Sequence, residues 1–207
     1  MANADRIAHL NHPTRRRILL AAEQHFAADG YDAARVDEIA ASAEVSKSHL
    51  YYHFAAKAEL LSGLVELRTA ELLAAKVQLL ADTDTAELFS SEEHLAALLR
   101  DMFVDLLMPR RDFVRIVLVE AIRNPEATEP VFAALNAVLE DTSNRLADLK
   151  VILEPRTKAL WFYFGIIPAL YYVALGDRQL AAATPADLAR DLARMELATL
   201  GFGADPR

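Results

Sequence analysis

Residues 46 to 54 carry the side chains best suited to chemistry on a polyanion. Leu50 and Phe54 stand one helical turn apart, so a helix here would turn both toward the core. The outward residues are then Lys47, Ser48, His49, Tyr51, Tyr52 and His53. Each can donate a hydrogen bond, and no acidic residue lies between Val45 and Lys57. Such a face suits a helix that meets base edges and phosphates of duplex DNA, whereas a merely solvated face usually includes Glu or Asp.

A second basic group, Arg15 to Arg17, lies in the first turn of the helix that precedes this segment. The helix macrodipole disfavours each cation there by roughly 0.3 to 1 kcal/mol at an exposed site. No acid stands three or four residues further on, because those positions are Ile18 to Ala21. The arrangement favours contact with an external anion, and a solvated basic patch remains the alternative.

The net charge of −8 opposes phosphate binding, but its distribution does not. Residues 1–60 hold seven basic and eight acidic side chains, whereas the remainder holds 15 basic and 22 acidic ones. The acidity therefore lies mostly outside the candidate DNA-reading segment.

Composition excludes several other classes of protein. The chain has no cysteine, which rules out disulfides and thiolate zinc sites, and residues 1–20 lack the apolar region of a secretory signal. We therefore expect a cytoplasmic protein. A Gly-rich phosphate loop, a His-Glu-x-x-His motif and a nucleophile elbow are all absent from the sequence. The sequence thus predicts no enzyme, no cofactor and no metal site, although His49 and His53, one turn apart, leave a transition-metal pair open.

Helix formers dominate the chain, and its six glycines are scattered, so we predict an all-α fold of about nine helices. Thr14 is the predicted cap of the first helix, which stops at Asp29-Gly30. Short helices over about 36–43 and 46–54 follow, and Ser46 is predicted to cap the second of them. Longer helices are predicted over about 57–80, 91–108, 110–123, 128–150, 156–175 and 185–200. Thr184, Pro185 and Asp187 predict the start of the last one, with a capping hydroxyl, a proline in the first helical position and an acid in the third. The predicted domains are a helix-turn-helix head, residues 1–56 (ordered from about 13), and a helical domain, residues 57–207.

The segment from Ile18 to Leu61 resembles the TetR family of bacterial regulators. The resemblance rests on these residues: Phe26, Gly30-Tyr31, Val36, Ile39-Ala40, Val45-Ser46-Lys47, Leu50-Tyr51-Tyr52-His53-Phe54, Lys57 and Leu60-Leu61. It implies that bases are contacted by Lys47, Ser48 and Tyr51. It also implies that phosphates are held by His49, Tyr52, His53 and Lys57, and we add Arg15 from the basic first turn.

Two residues depart from the family pattern. Glu44 stands in the turn between the second and third helices, where the family usually has glycine. A left-handed backbone there would cost roughly 1 to 2 kcal/mol. Arg35 replaces a capping Ser or Thr at the second helix, a loss of about 1 kcal/mol. We interpret Arg35 as an added phosphate contact.

An uncharged run of 17 residues, Ala159 to Leu175, carries six aromatic side chains. It is at the short limit for a membrane span, contains Pro168 and is closely bounded by Lys158 and Asp177, so we predict no membrane insertion. A soluble helix that is apolar on all sides is usually buried on two faces. Here one face would pack in its own domain and the other against a partner subunit. This agrees with the family expectation of a homodimer, here through about 156–175 and 185–200, that binds a pseudo-palindrome in double-stranded DNA.

The resemblance further implies a repressor released by a small-molecule effector that is largely apolar or aromatic. The candidate lining residues are Met102, Phe103, Leu106, Phe113, Val117, Trp161, Phe164 and Tyr171. Aromatic residues at helical spacing also form ordinary cores, so this set has a structural alternative. Two other functions stay open: a regulator that is ligand-independent or activating, and an α-helical protein-interaction module that never binds DNA.

The assignment of Arg35 predicts a change in salt dependence. Replacing Arg35 with Ala should lower the slope of log affinity against log salt concentration by about one, because one phosphate contact is lost. Titration of a labelled duplex at several salt concentrations measures that slope. An unchanged slope would show that Arg35 does not contact the backbone.

Overall fold

The computed structural model describes residues 12–81, 83–175 and 184–200, and every regular element in these ranges is helical. Parts of the predicted domains, residues 1–11, 176–183 and 201–207, lie outside the described residues. The helices are α1 (Pro13–Asp29), α2 (Val36–Ser42), α3 (Lys47–His53), α4 (Lys57–Leu79), the single turn α5 (Thr85–Leu88), α6 (Glu92–Asp101, extended by turns to residue 110), α7 (Arg111–Arg123), α8 (Pro125–Asp148), α9 (Pro155–Leu175) and α10 (Pro185–Thr199).

Two of these helices contain a π-helical turn that the sequence pattern did not predict. In α6 it covers Met102–Leu107, and in α9 it covers Trp161–Ile166. A π turn holds one more residue than an α turn and therefore changes which side chains share a face. With α5 left out, the described part of the chain forms nine helices, which confirms the all-α prediction.

Local sequence signals fix several helix ends as predicted. Gly30 ends α1 with a φ of 82° and donates its backbone N–H to the carbonyl of Phe26. Ser46 caps α3 by accepting the backbone N–H of His49 at 3.1 Å. Thr184 and Asp187 form a reciprocal capping box at the start of α10. These residues supply partners for groups that a helix end leaves unpaired.

Two predicted helix starts are wrong. α1 begins at Pro13, and the side chain of His12, which precedes the helix, makes no capping hydrogen bond. Thr14 therefore lies inside the helix and is not its cap. α8 begins at Pro125, not at about 128. In both cases proline occupies the first helical position, where its missing N–H has no partner to lose and its fixed φ favours the helix.

One compact unit contains Met1–Leu73 together with Asp112–Ala134. Its core is built by the apolar faces of α1 to α4 and by α7. The buried side chains include Ile18, Leu19, Ile39, Leu50, Phe54, Leu60, Leu61 and Leu64, with Phe113, Ile116 and Val117 from α7. This core holds α3 against α1 and α4.

The second compact unit contains Ala74–Arg111 and Leu135–Arg207. Its core includes Leu95, Leu139, Leu146, Trp161, Ala193 and Leu197. On its surface, Arg194 of α10 pairs with Glu92 of α6 at 2.9 Å. The functional division at residues 56 and 57 stays a prediction, since the compact units divide the chain at other positions.

Helix α9 is long and apolar enough to cross a membrane, but core helices of soluble proteins can have the same length and composition. Only 22% of its most apolar 18-residue window is buried within the chain. The small residue Gly165 lies inside this unit, where a Cβ would meet Met195 and Leu192 of α10 at ordinary contact distance. Gly165 thus serves packing between α9 and α10 within the chain.

The turn between α2 and α3 places Glu44 in the left-handed region, with a φ of 53°. Its backbone N–H donates to the carbonyl of Ala41, and the next residue, Val45, donates to the carbonyl of Ala40. The turn therefore closes as the family pattern requires, without the usual glycine.

Replacing Glu44 with Gly should stabilise the protein by about 1 kcal/mol, because glycine adopts a positive φ without strain. Urea denaturation measures the free energy of unfolding. The matched control is Glu93→Gly, at an exposed helical position of α6, which should destabilise by roughly 0.5 to 1 kcal/mol. If both variants lose stability, Glu44 carries no strain.

Candidate nucleic-acid interface

The sequence of α3 presents a polar face because its apolar residues are buried on the other side. Leu50 is inaccessible to solvent and Phe54, just after the helix, is almost so. The outward side chains Lys47, Ser48, His49, Tyr51 and Tyr52 are all exposed, Tyr52 by 82%. The structure brings these five predicted site residues together on one surface, which we call the α3 face.

Lys47 forms an ion pair that the sequence did not indicate. Its Nζ lies 2.7 Å from a carboxylate oxygen of Asp37 on α2. The hydrogen bond from Lys47 lowers the pKa of Asp37, and the same bond raises the pKa of Lys47. Both side chains are exposed, and exposed pairs contribute little to stability. A phosphate or a base acceptor can therefore compete with Asp37 for Lys47.

His53 is less exposed than predicted, since its ring packs against its neighbours. Its ring centroid lies 4.9 Å from that of His49 and 5.3 Å from that of Tyr52. Arg15 donates to the backbone carbonyl of His53 and lies 4.1 Å from the centroid of the Phe54 ring. Arg15 is thus held beside the end of α3, where it positions this helix and adds positive charge.

The start of α4 is fastened to the loop that follows α1. Lys57 donates from Nζ to the backbone carbonyl of Asp32 at 3.0 Å and lies 4.9 Å from the centroid of the Tyr31 ring. The Glu59 carboxylate accepts the backbone N–H of Ala55 at 2.8 Å. Lys57 remains partly exposed at the N-terminal end of α4, where the macrodipole favours anions.

Arg35 lies at the start of α2 and gives the helix no side-chain cap, as predicted. Its guanidinium is well exposed and lies 3.7 Å from the Glu38 carboxylate.

The two other basic residues in the first turn of α1 differ from each other. Arg16 pairs with Glu71 of α4 at 2.7 Å, whereas Arg17 is exposed.

A half-buried ionic cluster joins α1 to α4 in the same unit. Arg68 binds both carboxylate oxygens of Glu23 through Nε, and its Nη1 lies 2.7 Å from Glu71. Burial opposes the charge of Arg68, but its hydrogen bonds to Glu23 and Glu71 raise the pKa of Arg68 overall. The cluster fixes the helices that carry Arg15 and Lys57 relative to each other.

The predicted ligand-lining residues do not form one set. The second unit has a cavity of about 150 Å³ between α4, α6, α8, α9 and α10, which includes Met102 and Trp161. Phe103 and Leu106 are buried in α6, and Phe103 packs edge-on against Tyr172. Phe113 and Val117 belong instead to the core of the first unit. Phe164 and Tyr171 are 63% and 50% exposed and lie outside this cavity.

Sequence reasoning missed the acidic partners Asp37 and Glu23, because they are distant in sequence from Lys47 and Arg68. It also missed Glu196, a cavity residue. Glu196 follows Leu192 and Ala193 by one turn and precedes Leu197, all three of which are buried. A carboxylate in an apolar stripe is a signal that the pattern did contain.

The segment that carries the α3 face matches a known family. Residues 18–64 match the family described as bacterial regulatory proteins, tetR family. The HTH-type transcriptional activator FasR of Mycolicibacterium smegmatis is 32% identical over 120 residues, or 58% of this chain and 50% of that protein. The match thus spans about half the length of this relative.

Solved structures of regulators share the fold. FadR from Bacillus subtilis in complex with stearoyl-CoA is 19% identical over 88% of this chain and 97% of that one, with a TM-score of 0.68. The ketosteroid regulator KstR2 of Mycobacterium tuberculosis is 20% identical over 89% and 94% of the two chains, with a TM-score of 0.62. Identities this low establish the fold alone.

Replacing Asp37 with Asn should tighten binding to duplex DNA, because it releases Lys47 and removes a carboxylate that lies beside the α3 face. The gain should reach about fivefold at low salt, as for unit charges 4 Å apart in water. Stability should change by less than about 1 kcal/mol. Fluorescence anisotropy with a labelled random-sequence duplex measures the affinity.

The matched control for Asp37→Asn is Asp148→Asn, which makes the same change of net charge at an exposed position near the end of α8. It should leave the affinity nearly unchanged. Equal gains from the two variants would mean that overall charge, not Lys47, governs binding.

Proposed function

Because this chain belongs to the TetR family of bacterial regulatory proteins, we propose that it is a cytoplasmic, sequence-specific transcriptional regulator that reads duplex DNA through its α3 face. The observation that carries the proposal is the exposure of five donor side chains on one helix whose opposite side is buried. The family and its relatives are transcription regulators rather than enzymes.

Within this proposal the α3 face divides between bases and backbone. Lys47, Ser48 and Tyr51 read base edges in the major groove, where donors and acceptors distinguish all four base pairs. The phosphates on either side are held by His49, Tyr52, His53, Lys57, Arg35 and Arg15. Such contacts set the register of the protein on the duplex but carry no sequence information.

We also infer that the regulator is a homodimer formed through α9 and α10. The supporting observation is the outer face of α9, where Tyr163, Phe164 and Tyr171 are each at least half exposed in the single chain. Contiguous exposed apolar side chains of this size mark interaction surfaces. A two-fold axis would repeat the α3 face in a later major groove, roughly 34 to 36 Å away or more, and so read a pseudo-palindrome.

The proposed regulator is a repressor released from its operator by a small, largely apolar ligand. Two observations support a ligand: the cavity of about 150 Å³ in the second unit, and the molecules named for structural neighbours, stearoyl-CoA with its apolar acyl chain and a ketosteroid. Met102 and Trp161 are the predicted residues that line this cavity.

Activation is the second candidate, because the relative FasR is an activator. Both signs of regulation use the same contact with the operator. A reporter gene behind the operator distinguishes them, since a repressor lowers expression in the absence of ligand and an activator raises it.

Replacing Tyr51 with Ala should remove specific binding and leave the fold intact, because the side chain is 42% exposed and lies outside the core. We expect the affinity for the selected operator to fall about tenfold or more, and that for random duplex to change little. Anisotropy titrations on both duplexes measure the ratio.

Tyr52→Ala is the matched control, since Tyr52 is assigned to phosphate. It should weaken binding to both duplexes by similar factors. If neither variant affects DNA binding, the chain is an α-helical interaction module and the proposed function is wrong.

Replacing Phe164 with Glu should dissociate the dimer, because a charge would be buried in the interface without a partner. Sedimentation should then show a monomer with unchanged helical content. DNA affinity should also fall, since two linked heads bind more tightly than one. Ile122→Glu changes a side chain of α7 that is 83% exposed, and it should keep the wild-type assembly. A dimer in Phe164→Glu would place the interface elsewhere.

A further inference from the structure

One cavity of the second unit is small, and its walls are mostly apolar. Its volume is about 150 Å³. A dry cavity of about this volume holds one benzene, whereas drug-sized ligands occupy roughly 300 to 1,000 Å³. The walls include Leu95, Leu98, Leu99, Met102, Val138 and Ile166. The cavity therefore fits a single ring or a short chain.

One acidic side chain on this cavity, Glu196, has no polar partner among the described residues. Glu196 of α10 lines it, and among the described residues its carboxylate makes no hydrogen bond or ion pair. Burial raises the pKa of Glu196 to about 7. The Glu196 side chain is partly exposed, so the apolar walls desolvate its carboxylate only in part, and a ligand that supplies a donor or a positive charge would reduce that cost.

The other titratable groups on the cavity satisfy one another. Lys76 of α4 lies 3.0 Å from Asp141 of α8, and Arg145 lies 3.2 Å from the same oxygen. The residues that α6 and α9 contribute to the lining have no titratable side chain. Glu196 is thus the cavity's unpaired charge among the described residues.

An aromatic ring lies on the same cavity. Trp161 is almost fully buried, and its Nε1 donates to Thr199 Oγ1 at 2.8 Å, which fixes the indole. Trp161 and Ile166 are the first and last residues of the π turn in α9, and Met102 opens the π turn in α6. Such turns are frequent at functional sites. A carboxylate and an indole together attract a cation.

We propose that this cavity binds a small apolar cation, an amine carried on one ring or on a short chain, with its ammonium group paired to Glu196 beside Trp161. This inference deepens the proposed function, since it names the chemical class of the effector. It separates this protein from its structural neighbour with stearoyl-CoA, whose ligand carries a long acyl chain.

The test uses three probes that share one ring and differ in charge: benzylamine, benzyl alcohol and benzoate. Trp161 is the chain's single tryptophan, so its fluorescence reports binding to the full-length protein. Benzylamine should bind most tightly and benzoate most weakly. From pH 6 to pH 8, benzylamine affinity should rise about tenfold as Glu196 ionises around its pKa of about 7. The affinity for benzyl alcohol should not rise.

Glu196→Gln keeps the shape and removes the charge. It should abolish the pH dependence and the preference for benzylamine over benzyl alcohol, with helical content retained by circular dichroism. Glu93→Gln, the same change at an exposed position of α6, should behave as wild type. The wild-type pH series tests the proposal independently of how either variant folds.

Three results would overturn the inference: tighter binding of benzoate than of benzylamine, benzylamine binding that does not change with pH, or no binding of any probe. Duplex binding is measured on the same samples. Intact duplex binding with a failed probe series refutes the cation site and leaves the regulator standing. Loss of duplex binding with a successful probe series refutes the proposed function instead.

Discussion

Burial of Leu50 and Phe54 is the constraint on which the proposed function depends. Both side chains lie in the core formed by α1 to α4 and α7. Because a helix turns by 3.6 residues, fixing these two residues inward determines which side chains face solvent. The seven-residue helix α3 would be unstable alone, so its direction comes from tertiary packing and not from helix propensity. The donors on the α3 face are thus positioned by an apolar contact on the opposite side.

The ion pairs of the same unit differ in exposure, and the pair at the α3 face is the more exposed. Arg68, Glu23 and Glu71 form a partly buried cluster between α1 and α4, where an ion pair resists competition from water. Lys47 and Asp37, in contrast, form an exposed pair that a phosphate can replace. The turn at Glu44 makes normal backbone hydrogen bonds, but its positive φ is a conformation that favours glycine.

Local signals were readable from the sequence, and long-range ones were not. The inward turn of Leu50 and Phe54, the stop at Gly30 and the caps at Ser46 and Thr184 each depend on neighbours within about one turn, so the sequence predicted them. The cavity lining depends on how distant helices meet. Phe164 lies within the π turn of α9, which changes the residues that share a helix face. The prediction assumed a regular helix and placed Phe164 in the cavity lining, whereas its side chain is exposed. Lys47 and Asp37 lie on different helices and come into contact only when α2 packs beside α3, so the sequence did not predict their ion pair.

We propose that two copies of the α3 face read one operator. Selection of binding sites from a random duplex library, with the full-length protein, tests it most directly. The account predicts an enriched motif made of two inverted half-sites, separated by about one helical turn of DNA, roughly 10 base pairs, or more. Enrichment of a single, non-repeated motif would contradict the dimeric reading, and no enrichment of any sequence would contradict specific DNA recognition itself.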